Sequence, residues 1–131
     1  MPKSANPKRP IVLVVDDDPS LLRAISRLIR AAGFEARTFE RPGLLLAAEV
    51  PKTNACLVLD VNMPEMNGVE LFEALVLSGR ALPVIMITGQ GDSRTKKLLE
   101  EINAVDILLK PFDGDLLLQA IERALCSTTG G

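Results

Sequence analysis

The sequence predicts an α/β domain in which a five-stranded parallel sheet is doubly wound, with helices on both faces. Two observations carry this. Short, continuously aliphatic runs such as "IVLVV" (11–15), "ACLVLD" (55–60) and "PVIMIT" (83–88) have no polar face, as expected of strands covered on both sides. Segments of helical period separate them, and strictly alternating strands and helices build a parallel sheet by crossover connections. The length, 131 residues, suits one domain with one core.

The elements follow in order. After 11–15, Leu21, Ile25, Leu28, Ile29 and Ala32 recur at helical spacing, and Gly33 is placed to end that helix. Asp18 reads as its N-cap and Pro19 as its first residue. "FEARTF" (34–39) alternates and reads as a less buried strand, and "PGLLLAAEV" (42–50) as a short helix. The strand 55–60 precedes a helix over 67–78 marked by Val69, Phe72, Leu75 and Val76. The strand 83–88, a weaker helix over 92–102, the strand "DILLK" (106–110) and an amphipathic helix over 115–126 complete the chain. Residues 1–9 read as a disordered, mildly basic tail, 10–126 as the domain, and 127–131 as a frayed end or the start of a linker.

Composition excludes several function classes. Hydrophobic residues make up 47% and charged residues 24%, and 15 Lys and Arg against 17 Asp and Glu give a net charge of −2. That balance does not attract nucleic acid by bulk charge, no basic stripe is evident, and no helix-turn-helix follows the last helix, so no direct nucleic-acid binding is expected. No apolar run approaches the roughly 18 residues that cross a membrane, and the first residues lack the apolar stretch of a signal peptide. Cys56 and Cys126 form no spacing pattern, which reads as a cytoplasmic chain. With no histidine present, Ser–His and Cys–His nucleophile pairs and His-ligated zinc are excluded.

Ligands of such sheets bind beyond the carboxyl ends of the strands. There the sequence places Asp16 and Asp17, then Asp60, Thr88 and Lys110. An aspartate after a strand is commonly a turn or helix cap; the coincidence at four strand ends points to a site. Two carboxylates about 4 Å apart repel by ~4 kcal/mol at an effective dielectric near 20. Lys110 supplies one positive charge, and a divalent cation completes the balance. All-oxygen ligands favour a hard ion such as Mg²⁺, with positions left for phosphate oxygens. A carboxylate can attack phosphorus to give an acyl phosphate, and Asp60, on the central strand, is the candidate by placement.

The chain resembles the receiver domain of bacterial two-component response regulators, such as the chemotaxis receiver, over about residues 10–126. The resemblance rests on "VVDDD" (14–18), "LVLDVNMPEMNGVEL" (57–71), "VIMITG" (84–89) and "LLKPF" (108–112). It implies the flavodoxin-like (βα)5 fold with strand order 2-1-3-4-5. It implies phosphorylation of Asp60 by a histidine kinase or phosphotransfer protein within a phosphorelay. It also implies Mg²⁺ (or Mn²⁺) held by Asp16, Asp17, Asp60 and the backbone carbonyl of Asn62. Thr88 would bond the phosphoryl group, Lys110 would pair with it, and Lys110–Pro111 would be a cis peptide. Gly89, Gln90 and Ile107 fall at switch or tuning positions. Ile107 departs from the aromatic residue frequent in the family, and an aliphatic side chain has no ring to swing inward. Asn62 and Gln90 are amides and cannot serve as general bases toward water.

The resemblance further implies a signalling switch that catalyses only its own phosphorylation and dephosphorylation. Its effector, or a second copy, would meet the face built from the fourth helix, fifth strand and fifth helix. Leu116, Leu117 and Leu118 cannot all face the sheet, so one lies near solvent. The competing reading is a Mg²⁺-dependent phosphohydrolase of the haloacid-dehalogenase type. Those need a second acid two residues after the nucleophile, where Asn62 stands. A third reading is a receiver-like binding module that is never phosphorylated.

Overall fold

A computed structural model describes residues 9–89, 97 and 99–129. The expected tail therefore falls almost wholly outside the described residues, as do Gln90 and most of the expected helix over 92–102. The order is β1 (Ile11–Val15), α1 (Pro19–Ala31), β2 (Glu35–Phe39), α2 (Pro42–Leu46), β3 (Ala55–Asp60), α3 (Gly68–Leu77), β4 (Val84–Thr88) and β5 (Asp106–Leu109). A C-terminal helix, Gly114–Thr129, closes it, continuing past the expected end at 126. The five strands form one sheet in the order β2-β1-β3-β4-β5, and every pairing is parallel.

The aliphatic strands pack on both faces, as continuous runs require. Alternate residues of β1, β3 and β4 (Val12, Val14, Cys56, Val58, Ile85, Ile87) meet α1 and the C-terminal helix. Their neighbours, Leu13, Val15, Leu57, Leu59, Val84 and Met86, meet the other face with Leu45 of α2 and Leu71 and Leu75 of α3. Each fully buried Leu or Ile contributes about 2 kcal/mol of apolar transfer. None of the described helices is long and apolar enough to cross a membrane.

Several helical faces differ from the expected ones. The buried face of α1 is Leu22, Ile25 and Ile29; Leu21 and Leu28 are half-buried and Ala32 is exposed. Two adjacent leucines at 21 and 22 satisfy the same period, and the sheet takes the second. In α3 the core residues are Val69, Leu71 and Leu75, while Val76 is exposed. Helix α2 ends at Leu46, four residues early; the Arg80 guanidinium donates to the carbonyls of Leu46 (2.8 Å) and Ala48 (3.1 Å) just past that end. Of the C-terminal leucines, Leu117 is buried and Leu116 is 50% exposed. Cys126 is exposed and Cys56 buried, and burial pushes the Cys56 thiol up to about 12. The absence of a basic stripe is also corrected. Arg23, Arg27 and Arg30 recur at i, i+4 and i+7 along α1, and all three are exposed.

One glycine fixes how the chain leaves β3. The loop after Asp60 folds back so that the Gly68 N–H donates to the Val61 carbonyl at 3.0 Å. A Cβ on Gly68 would lie 2.6 Å from the Asp60 carbonyl oxygen and 3.2 Å from the Val61 Cα. Backbone atoms cannot yield to it locally, so only glycine lets α3 start there. Gly43, inside α2, has nothing within 4 Å of such a Cβ. Gly68→Ala should therefore destabilise by ~1–3 kcal/mol, whereas Gly43→Ala should stabilise by about 0.5–1 kcal/mol. Urea unfolding followed by circular dichroism checks the opposite signs.

Candidate functional site

The crevice lies at the carboxyl ends of β1, β3, β4 and β5. Asp16 and Asp17 follow β1 directly; Asp16 is 1% exposed, whereas Asp17 is exposed. Asp16 Oδ1 accepts the Asp18 N–H at 2.9 Å, which locks the turn. Its other oxygen, Oδ2, stands 3.1 Å from Lys110 Nζ, an ion-pair contact without an aligned hydrogen bond, so that this buried oxygen lacks a hydrogen-bond partner. Asp18 turns away from the crevice. Its Oδ1 accepts the N–H groups of Ser20 (3.0 Å) and Leu21 (3.4 Å), capping α1 with Pro19 in the first turn. The cap prediction from the sequence describes this geometry.

Asp60 is the last residue of β3, paired on both sides by strands, and is 2% exposed. Its Oδ1 accepts the Asn62 N–H at 3.2 Å, and its Oδ2 lies 3.4 Å from Lys110 Nζ. Thr88 is buried at the last position of β4. Its carbonyl accepts the Lys110 N–H at 2.7 Å, and the Lys110–Pro111 peptide is cis. Carboxylate oxygens of Asp16, Asp17 and Asp60 all lie within 4.8 Å of one another.

The electrostatics follow. Burial, then the charge of Asp16, raise the Asp60 carboxyl to about 6 against the opposing pull of Lys110 and the Asn62 N–H. Burial works to lower Lys110, but contact with Asp16 and the charges of Asp16 and Asp60 outweigh it and leave the ammonium raised. Three formal negative charges and one positive leave −2 in the crevice. A dication neutralises that residue. The buried Asp16 oxygen without a hydrogen-bond partner and the all-carboxylate donor set both fit a hard divalent ion.

The structure thus gathers Asp16, Asp17 and Asp60, sets Lys110 against Asp16 and Asp60, and places Thr88 at the adjoining strand end. Gly89 follows, half-buried. Asn62 is exposed and reaches the site through its backbone. Ile107 lies in the edge strand β5, opposite Met86 and 39% exposed, and its N–H donates to the Asp106 carboxylate at 2.8 Å. Gln90 lies outside the described residues. Gly68, within the motif 57–71, has a role that only the fold reveals: its close approach to the Asp60 carbonyl. A mostly apolar cleft of about 500 Å³ borders the crevice, lined by Asp18, Leu21, Leu28, Lys110 and Phe112 among others.

Comparison with known proteins agrees with this geometry. Residues 12–122 match the family model described as the response regulator receiver domain. The chain is 35% identical over 120 residues to response regulator protein TmoT of Ectopseudomonas mendocina, covering 92% of this chain and 54% of that protein. Among solved structures, response regulator StyR superposes with a TM-score of 0.81 at 39% identity, over 93% of this chain and 62% of that one. A response regulator receiver protein from Pseudomonas putida superposes with a TM-score of 0.79 at 27% identity, over 89% of this chain and 98% of that one. The chain thus spans about half the length of the curated relatives it matches. With a matched model over most of its length, strand order β2-β1-β3-β4-β5 and an acidic crevice at the strand ends, the chain belongs to the response regulator receiver domain family.

Proposed function

We propose that this receiver, spanning residues 10–126, accepts a phosphoryl group on Asp60 from a histidine kinase or phosphotransfer protein of a two-component system. One observation carries the reading: Asp60 ends the central strand, buried, with Lys110 and Asp16 against it. Family membership decides against the haloacid-dehalogenase reading. The intact Asp16, Asp17, Asp60 and Lys110 cluster favours a phosphorylated receiver over a passive binding module.

In the transfer, an Asp60 oxygen displaces the donor's imidazole nitrogen at phosphorus. The O–P bond forms, the P–N bond breaks, and the imidazole takes up a proton as it leaves. The Asn62 N–H orients the Asp60 carboxylate. Lys110 meets the added phosphoryl charge, and Thr88 donates its hydroxyl to a phosphoryl oxygen. Asp16, Asp17, Asp60 and the Asn62 carbonyl would hold Mg²⁺ or Mn²⁺, which when bound would offset charge on the phosphoryl oxygens. Hydrolysis of the acyl phosphate returns Asp60 to its carboxylate. Neither amide, Asn62 or Gln90, supplies a base for it, and Gly89, Gln90 and Ile107 tune the response. The chain has no other catalytic role on this reading.

The donor docks beside the crevice, at the apolar cleft that reaches Lys110. The effector, or a second copy, engages the face of β5 and the C-terminal helix, where Leu109 and Leu116 are 58% and 50% exposed. Two cysteines in no spacing pattern suit a cytoplasmic protein.

Three outcomes test the site. Asp60→Asn should abolish labelling by acetyl phosphate with Mg²⁺; stoichiometric labelling of that variant, read by intact mass, would remove Asp60 as acceptor. Asp17→Asn should weaken Mg²⁺ binding at least tenfold, about 1.4 kcal/mol, while Asp18→Asn, in a cap, should leave it nearly unchanged; calorimetry decides. The third concerns pH without metal. Asp60 holds its proton more tightly in the folded state (about 6 against 3.8). Its ionised form therefore costs stability above pH 6, and that cost disappears as pH falls from 6 towards 4. Asp60→Asn should be more stable than wild type at pH 7.5 in chelator, by up to ~3 kcal/mol. The gap should close by pH 4, as thermal melts across that range would record.

A further inference from the structure

On the side of α1 away from the apolar cleft lies a second cleft of about 490 Å³, between α1 and β2. Its polar lining is Arg23, Ser26, Arg27 and Arg30 from α1, Thr38 from β2 and Glu40 just past that strand. The arginines sit at i, i+4 and i+7, one above another over about 10 Å. Helix α1, "PSLLRAISRLIRA", carries no acidic residue to neutralise them. Among the described residues, Arg37 pairs with Glu35, Arg123 with Asp106 and Lys110 with Asp16 and Asp60. The three cleft arginines pair with no described carboxylate, although Glu40 lines the same cleft; Arg23 donates only to the Ser20 hydroxyl, at 3.3 Å.

We propose that this cleft docks a helix of a protein partner that presents carboxylates at the matching i, i+4, i+7 spacing. Guanidinium groups pair with carboxylates in a planar, two-pronged geometry. A helical row is the partner shape that meets a helical row of equal pitch. A nucleic-acid backbone fits less well. Its charge continues beyond the 10 Å stripe, towards Glu40 on one side and Asp17 and Asp18 at the α1 N-terminus, in a chain of net charge −2. Pro19 also lines the cleft, so a docked helix ends beside the crevice mouth. The surface is separate from Asp60, and its occupancy does not require phosphorylation.

The test uses an Ala-rich helical peptide of about 18 residues with Glu at i, i+4 and i+7. A second peptide has the same composition with the Glu positions scrambled, and a short DNA duplex is the third ligand. Binding to the ¹⁵N-labelled protein is followed by amide shifts. The matched peptide should give saturable shifts confined to α1 and β2. Arg27→Gln and Arg30→Gln should each weaken it about fivefold, near the top of the range for an exposed ion pair, with unchanged melting temperature. Asp60→Asn should bind as wild type does, which separates this surface from the phosphoacceptor reading. Equal affinity for the scrambled peptide, shifts elsewhere, indifference to both arginine variants, or tighter binding of the duplex would overturn the proposal.

Discussion

The structure depends on a single charge conflict: three carboxylates crowd the carboxyl edge of a sheet that is otherwise aliphatic. Two of them, Asp16 and Asp60, are almost fully buried, where an unpaired charge is expensive. Lys110 offsets part of this by standing 3.1 Å from one and 3.4 Å from the other. One cation shared by two anions leaves a deficit of the sign that a hard dication neutralises. Replacing the cluster by apolar residues would relieve the conflict and remove the site.

The scaffold serves to hold that conflict in place. Asp16 is pinned through the Asp18 N–H and Asp60 through the Asn62 N–H, so each carboxylate has one fixed oxygen and one turned to Lys110. Beyond Asp60 the loop must return at once, and Gly68 permits an approach that any Cβ would block. The capping box that follows, Asn67 with Glu70, starts α3 immediately after that contact. Lys110 arrives directly after the parallel strand β5, its N–H on the Thr88 carbonyl. Residues distant in sequence are thus set by backbone hydrogen bonds near strand ends rather than by long flexible side chains.

Most of the fold was legible because its signals are local. Aliphatic runs located β1, β3 and β4 to within a residue, and the Asp-Pro-Ser start of α1 was readable from cap chemistry alone. What was not legible depends on the third dimension. Periodicity could not choose between Leu21 and Leu22, because the choice rests on how the helix is rotated against the sheet. The early end of α2 has its carbonyls bonded by Arg80, more than thirty residues away, and no local pattern announces that contact. The role of Gly68 needed the position of the Asp60 carbonyl. The arginine row on α1 was visible in sequence at helical spacing, but net charge masked it, because a balance of −2 says nothing about where the charges lie.

The same geometry indicates where a change at Asp60 is felt. Phosphorylation adds negative charge and acceptor oxygens on one side of a lysine that now divides its attention nearly equally. That lysine follows directly on β5, one of the sheet's two edge strands, in which Leu108 is the buried residue while Ile107 and Leu109 are exposed. An edge strand with so little apolar burial costs less to displace than the central strands. The central strands, buried on both faces, hold Asp16 and Asp60 still. On the proposed phosphorylation of Asp60, charge is added at the rigid centre, and Lys110 links it to the weakly packed edge beside which Leu109 and Leu116 are exposed.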